Sequence, residues 1–389
     1  MRDDTAATPA PRIFLSKGDI TELEVDYVTR AMRSGWVAPL GPEVDGFEAD
    51  IAQRVGVAGA LALSSGTSAL HLALIHLGAG PGTLVLCPSM TFAATANAIT
   101  YTGAEPIFVD SLPGDANVDP ALMLAAADDL LDQGKKVVAA IPVDLYGRAC
   151  DYDVLEPGLA ERNIPLLEDA AEALGATYLG RAAGGFGRAS ALSFNGNKIM
   201  TTSGGGMLLS DDVDLLAHAR KLSTQAREPF PWYEHQEVGY NFRLSNILAA
   251  IGRAQLTRLD SMIARRREIR EAYREYLSDL DVRFLPDAAT PRPDNSGDNA
   301  WLTSIIFNDA SVDIDVVMAK LDKGGIEARH LWKPMHQQPI FRGSVAYLNG
   351  TSDRLFAHGM NLPSGSTMSD DDVARVSRGL HDALAGHDV

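Results

Sequence analysis

The N-terminal half of this chain has a rhythm that few folds can satisfy. Short apolar runs at Ala60–Leu63, Thr83–Leu86, Pro106–Val109, Lys136–Ile141 and Pro165–Leu167 alternate with helical stretches at Ser68–Leu77, Ala93–Tyr101, Asp119–Leu131 and Val154–Asn163. Strands that alternate with helices must run mostly parallel, because each helix carries the chain back across the sheet. The expected fold class is therefore α/β, with helices on both faces of the sheet. An earlier helix spans Ile20–Gly35, closed by its glycine.

After about Thr202 the rhythm stops. Gly206–Leu209 reads as one more strand, and Val213–Leu222 and Leu244–Leu277 read as helices. Asp287–Asp298, rich in Pro, Asp and Gly, reads as a surface connection. A strand at Trp301–Phe307 and helices at Val312–Leu321 and Ser369–Ala385 complete a smaller α+β part. The division expected is a flexible arm at 1–12, a large α/β domain at 13–245 and a small C-terminal domain at 246–389.

Bulk properties narrow the function. The net charge of −17 argues against a nucleic-acid partner. No apolar run reaches the ~20 residues of a membrane span, so no membrane partner is expected and cytoplasm is the expected compartment. The two cysteines, Cys87 and Cys150, are too few for a disulfide framework and read as buried free thiols. No metal site is expected.

Three features stand beside predicted strand ends, where open α/β sheets collect ligands. Ser64-Ser65-Gly66-Thr67-Ser68 follows a strand and opens a helix, so its hydroxyls and free N–H groups suit a phosphate or a simple N-cap. Glu168-Asp169-Ala170-Ala171-Glu172 places acids at another strand end, where a solvated acid is the plainer reading. Lys198 sits among Ser193, Phe194, Asn195, Gly196 and Asn197, followed by Thr201-Thr202-Ser203 and three glycines. A lysine amine, an acid about thirty residues upstream and a phosphate cradle together fit Schiff-base chemistry on an aldehyde cofactor.

These segments, with SGWVAPLGPEVDGFE, PSMTFAATANAI, VDLYG, GYNFRLSNILAAIGRAQL and WKPMHQQPIF in the same order, resemble the DegT/DnrJ/EryC1/StrS sugar aminotransferases. That family lies within the aspartate aminotransferase superfamily, pyridoxal phosphate (PLP) fold type I, and the resemblance runs from about Ile13 to Ala385. It implies a seven-stranded, mainly parallel sheet in the large domain and PLP as cofactor. It implies Lys198 as the Schiff-base lysine and Asp169 as partner of the pyridine nitrogen. Gly66, Thr67 and Ser193 would hold the phosphate, with Asn246 reaching it from the other subunit of a homodimer with shared sites. Phe92 would stack on the ring.

Glu172 occupies a position near the ring oxygen where many relatives carry His or Gln. A carboxylate there belongs to the branch acting at sugar C4. Trp36, Ala38 and His336 resemble substrate-pocket positions, and Lys333 and Arg243 are candidates for the diphosphate or the donor carboxylate. Some relatives carry an Arg before the Trp-Leu-Thr strand where this chain has Ala300, which weakens a UDP-linked N-acetyl sugar as substrate.

The expected reaction is PLP-dependent transfer of an amino group from glutamate to C4 of a nucleotide-linked 4-keto-6-deoxyhexose, with dTDP-4-keto-6-deoxyglucose favoured. UDP-4-keto-6-deoxy-N-acetylglucosamine is the alternative. More distant readings are amination at C3, a PLP-dependent sugar dehydratase and a non-catalytic binding module. Relatives of the dehydratase kind carry His in place of the lysine, and a binding module would lose Lys198 or Asp169.

Overall fold

The computed structural model describes residues 11–288, 290 and 293–385. Residues 1–10 of the expected arm lie outside them. The rest of the arm is docked, since Arg12 Nη2 donates to Asp322 Oδ1 at 2.6 Å and Pro11 O accepts from Arg375 Nη1, also at 2.6 Å.

Helix α1 (Glu22–Arg33) opens on a capping box, in which Thr21 and Glu24 exchange hydrogen bonds. Then come α2 (Pro42–Val55), β1 (Gly59–Leu63), α3 (Gly66–His76), β2 (Leu84–Pro88), α4 (Ala93–Tyr101), β3 (Glu105–Val109), α5 (Pro120–Asp132), β4 (Val137–Ala140), α6 (Tyr152–Glu161) and β5 (Leu167–Asp169). A two-strand ribbon, β6 (Thr177–Tyr178) and β7 (Arg181–Ala182), precedes β8 (Ala189–Ser193) and β9 (Gly206–Ser210). The sequence expectation lacks α2 and β8. A glycine interrupts the periodicity of α2, and the small residues ASALS give β8 no β-branched signal.

Parallel bridges Ala140–Leu166 and Val143–Asp169 join two four-stranded sheets into one, in the order β1-β9-β8-β5-β4-β2-β3. Only β9 runs antiparallel to its neighbours. The sheet thus has the expected seven strands, and β13 (Ala346–Tyr347), from the C-terminal part, adds a short edge beside β3. The strands are apolar on both faces because helices cover both: β2 is buried at every residue and β1 at all but its first.

Helix α7 (Val213–Ser223) packs back on β1 and β9. The 31-residue α8 (Asn246–Tyr276) begins where the domain division was expected. Its early residues Ala249, Leu259 and Met262 share a core with Phe47 and Ile51 of α2, whereas Ile269 and Tyr273 join a second core. That second core lies under β10 (Val282–Leu285), β11 (Thr303–Phe307), β12 (Arg329–His330) and β14 (Gly359–Leu362), which form a sheet in the order β10-β11-β14-β12. Helices α9 (Ile314–Lys323), α10 (Thr351–His358) and α11 (Asp370–Ala385) complete this part. Among the described residues no helix is long and apolar enough to cross a membrane.

Candidate active site

A cavity of about 260 Å³ opens at the carboxyl ends of β1, β5 and β8. Gly66, Thr67, Phe92, Asp169, Glu172, Ser193 and Lys198 all line it, though they come from segments far apart in the chain.

The floor is the N-terminus of α3. Ser65 caps that helix, its Oγ accepting from Ser68 N at 3.0 Å. The backbones approach closely here. A Cβ on Gly66 would stand 3.2 Å from Leu192 O, and one on Gly206 would stand 2.3 Å from Gly66 N. The backbone of α3 is thereby pressed against β8 and β9, with free N–H groups and the positive helix end turned to the cavity. That arrangement suits an anion.

Asp169 ends β5, where Asp169 N donates to Pro142 O at 3.0 Å. Its Oδ2 accepts from Thr95 Oγ1 at 2.7 Å and its Oδ1 from Ala171 N at 3.2 Å. Burial pushes the carboxyl above its usual range, while those hydrogen bonds and nearby Lys198 pull toward the ionised form.

Lys198 lies in the tight connection from β8 to β9, a turn closed by Lys198 N to Asn195 O at 3.0 Å and Thr202 N to Phe194 O at 2.9 Å. Its side chain is 10% exposed. The amine rests 3.6 Å from Glu172 Oε1 and 4.1 Å from the centroid of the Trp301 ring. Glu172 is itself buried. Its Oε2 accepts from Tyr146 N at 2.7 Å and its Oε1 from Trp332 Nε1 at 3.3 Å. Burial raises the Glu172 carboxyl, with Lys198 the main opposing influence.

Trp301 and Trp332 line the cavity and were not among the residues expected from sequence. Trp301 Nε1 donates to Asn197 O at 2.8 Å, pinning the ring to the lysine loop. Behind it the buried Arg266 donates to Trp301 O at 2.7 Å and Ser364 O at 2.9 Å, and burial lowers this guanidinium to about 10. Trp332 packs edge-to-face with Phe92, ring centroids 5.7 Å apart, and its backbone N–H donates to Tyr146 OH at 2.9 Å. Trp332 stands in the WKPMHQQPIF segment, so an aromatic in a recognised motif was the available signal. Trp301 had none beyond its strand.

The remaining candidates lie elsewhere. Asn246 is not among the residues that line the cavity. Its carboxamide is wholly buried, with Oδ1 accepting from Glu43 N at 2.9 Å and Val44 N at 3.3 Å, and Nδ2 donating to Trp36 O at 3.0 Å. It caps α2, whose own N-cap Gly41 has no side chain, so its carboxamide is not free within its own chain. Nor is it the N-cap of α8; Ser245 is, through Leu248 N. Trp36 and Ala38 belong to the loop that Asn246 ties down, Ala38 O accepting from Asn246 N at 3.0 Å.

His336 likewise is not among the residues that line the cavity. Its Nδ1 lies 2.6 Å from Ser89 Oγ and its Nε2 3.0 Å from Asp353 Oδ1. Arg243 sits beside a different surface cavity of about 550 Å³, with Arg220, Lys221 and Arg227. Lys333 is exposed next to Trp332. Cys87 and Cys150 are free and buried.

A buried amine, a buried acid lining the cavity, a helix N-terminus suited to an anion and an aromatic wall agree with what the chain is similar to. It is 44% identical over 370 residues to EpsN of Bacillus subtilis (strain 168), named as a pyridoxal phosphate-dependent aminotransferase, covering 94% of each chain. It is 36% identical to the GDP-perosamine synthase of Caulobacter vibrioides, covering 96% of this chain and 99% of that one. The crystal structure of DesI in the presence of its TDP-sugar product superposes with a TM-score of 0.84 at 30% identity, covering 96% of this chain and 94% of DesI. Residues 18–381 match throughout, and the chain belongs to the DegT/DnrJ/EryC1/StrS aminotransferase family.

Proposed function

We propose that this enzyme, a PLP-dependent sugar-nucleotide aminotransferase, moves an amino group from glutamate onto C4 of a nucleotide-linked 4-keto-6-deoxyhexose. The observation that carries the reading is the convergence of Lys198, Asp169 and the α3 N-terminus on one cavity. When bound, PLP supplies an aldehyde for amine exchange and a protonated ring that takes up electrons. The cradle fits its phosphate, since Gly66 and Gly206 let the α3 N-terminus close against β8 and β9 and Thr67 and Ser193 add hydroxyls. Asp169 holds the proton on the ring nitrogen. Lys198 Nζ, once free, moves a proton to or from the reacting carbon. Glu172 and the Trp301 face hold that amine inside the cavity meanwhile, and Phe92 and Trp332 exclude water.

A dTDP-linked sugar is supported by the likeness to DesI, whose structure was solved in the presence of its TDP-sugar product. A GDP-linked sugar has the stronger support, because the GDP-perosamine synthase is the more similar of the two at 36% against 30%. We place GDP first and dTDP second. Lys333, beside Trp332, is our candidate for the diphosphate, and Trp36 and Ala38 remain candidates for the sugar-nucleotide. Turnover measured with GDP-, dTDP- and UDP-linked 4-keto sugars and glutamate, with products identified by NMR, tests this. A C3-amino product, or no turnover with any of them, overturns it.

We further propose a homodimer. Trp36, Val37, Leu40, Phe92 and Tyr101 are each about half exposed, and a second copy of the chain would bury such apolar side chains favourably. Light scattering after size exclusion should give twice the chain mass of 41.6 kDa; a monomer at micromolar concentration overturns it.

A further inference from the structure

Asp169 is backed by a short file of hydroxyls. Thr95 Oγ1 donates to Asp169 Oδ2 at 2.7 Å, and Thr91 Oγ1 lies 2.9 Å behind Thr95 Oγ1. Thr91 is 0% exposed and Thr95 1%, so neither hydroxyl can turn to water. Each carries one proton. With the Thr95 proton committed to Asp169, the Thr95 oxygen accepts from Thr91. The other acceptor within reach of Thr91, Phe92 O, is more distant at 3.3 Å. A file of donors running toward a carboxyl favours its ionised form, because a proton on Oδ2 would force both hydroxyls to turn round and leave Thr91 with the longer bond.

The location adds to this. Thr95 lies in the first turn of α4, whose positive end favours a nearby anion. The same turn begins at Phe92, so one short segment sets both the aromatic wall and the state of the acid. Burial alone would push Asp169 upward, and the Thr95 bond is the largest influence opposing it.

We propose that Thr95, with Thr91 behind it, is a positioning residue that fixes the Asp169 carboxylate in direction and charge for the ring nitrogen of the cofactor. The inference rests on the reading of Asp169 given above.

The test compares apoprotein affinity for PLP with that for the analogue in which the ring nitrogen is replaced by C–H. The ratio of the two isolates the contact between Asp169 and the nitrogen. Thr95→Val should cut the preference for PLP about tenfold, equivalent to ~1.4 kcal/mol and within the worth of a hydrogen bond to a charged group. Thr95→Ser should restore it. A Thr95→Val protein that loses affinity for both ligands equally, at unchanged ratio, overturns the proposal in favour of simple packing. Should Thr95→Val fail to fold, Thr91→Val must lower the ratio in the same direction by a smaller factor, and an unchanged ratio there overturns it. Asp169→Asn separates the two claims. If that variant keeps the wild-type ratio, the reading of Asp169 is wrong and the inference falls with it; if it abolishes the preference while Thr95→Val does not, only the inference falls.

Discussion

Glu168 and Asp169 are neighbours on one strand, both buried, and both pushed upward first by burial. Strand geometry sends them to opposite faces of the sheet, and there they diverge. Glu168 points into protein. Its Oε1 accepts from Gly184 N at 2.7 Å and its Oε2 from Phe186 N at 2.8 Å, and it shares a hydrogen bond with Asp144. Two carboxyls can share such a bond only if one carries a proton. Asp144 is raised to about 6, while its Oδ1 accepts from Cys150 N at 2.9 Å and Tyr152 OH at 2.7 Å. Asp169 has two donors of its own but still lines the cavity. The comparison teaches that burial and a raised carboxyl do not mark a catalytic acid. What separates the two is that Asp169 lines the cavity and Glu168 does not.

The largest effect tests the cavity side through the group Asp169 works with. Lys198→Ala should abolish turnover while the protein remains folded, and borohydride reduction of the loaded wild type should attach the cofactor to the peptide carrying Lys198. Mass spectrometry locating the adduct on any other peptide breaks the site. Next, Asp169→Asn keeps shape and removes charge. It should lower kcat by about a thousandfold or more, with an unfolding midpoint close to wild type. Near-normal kcat would make Asp169 the same kind of residue as Glu168.

On the other face the expected readout is stability. Glu168→Ala leaves the N–H groups of Gly184 and Phe186 unpaired in the interior, at ~1–3 kcal/mol each, so urea unfolding should show a loss of roughly 3 kcal/mol or more. kcat per folded molecule should stay within about threefold. A large fall in kcat without loss of stability would erase the contrast.

The smallest effect is pH dependence. Raised acids stabilise the fold fully below their unfolded pKa, and that contribution is lost as pH rises through the folded value. For Asp144 the window runs upward from the usual carboxylate range to about 6, and for Glu168 it extends higher. Asp144→Asn replaces the shared proton with an amide N–H, so the urea midpoint should fall less between pH 4 and pH 8 than in wild type. Equal slopes would show that the pair is not protonated in the fold.

Much of this was legible in the residues. Helix α4 falls at Ala93–Tyr101 as expected, because its boundaries are set locally by the run itself. The segment around Lys198 stood out because a lysine among small polar residues is chemically odd wherever it folds. Helix α2 was not legible. Its cap comes from Asn246, more than two hundred residues away, and local patterning carries no trace of such a partner.

The sequence by itself determined the alternation of strands and helices, the family and the chemistry of the cavity, because periodicity and reactive side chains are written locally. Only the tertiary structure decided which groups pair with each acid of the Glu-Asp pair. It also decided that Asn246 caps a helix, and that Trp301 and Trp332 enclose the amine. Those outcomes depend on which atoms packing brings within about 3–4 Å of one another, and hydrogen bonds and van der Waals contacts fade beyond that distance whatever the residues' order along the chain.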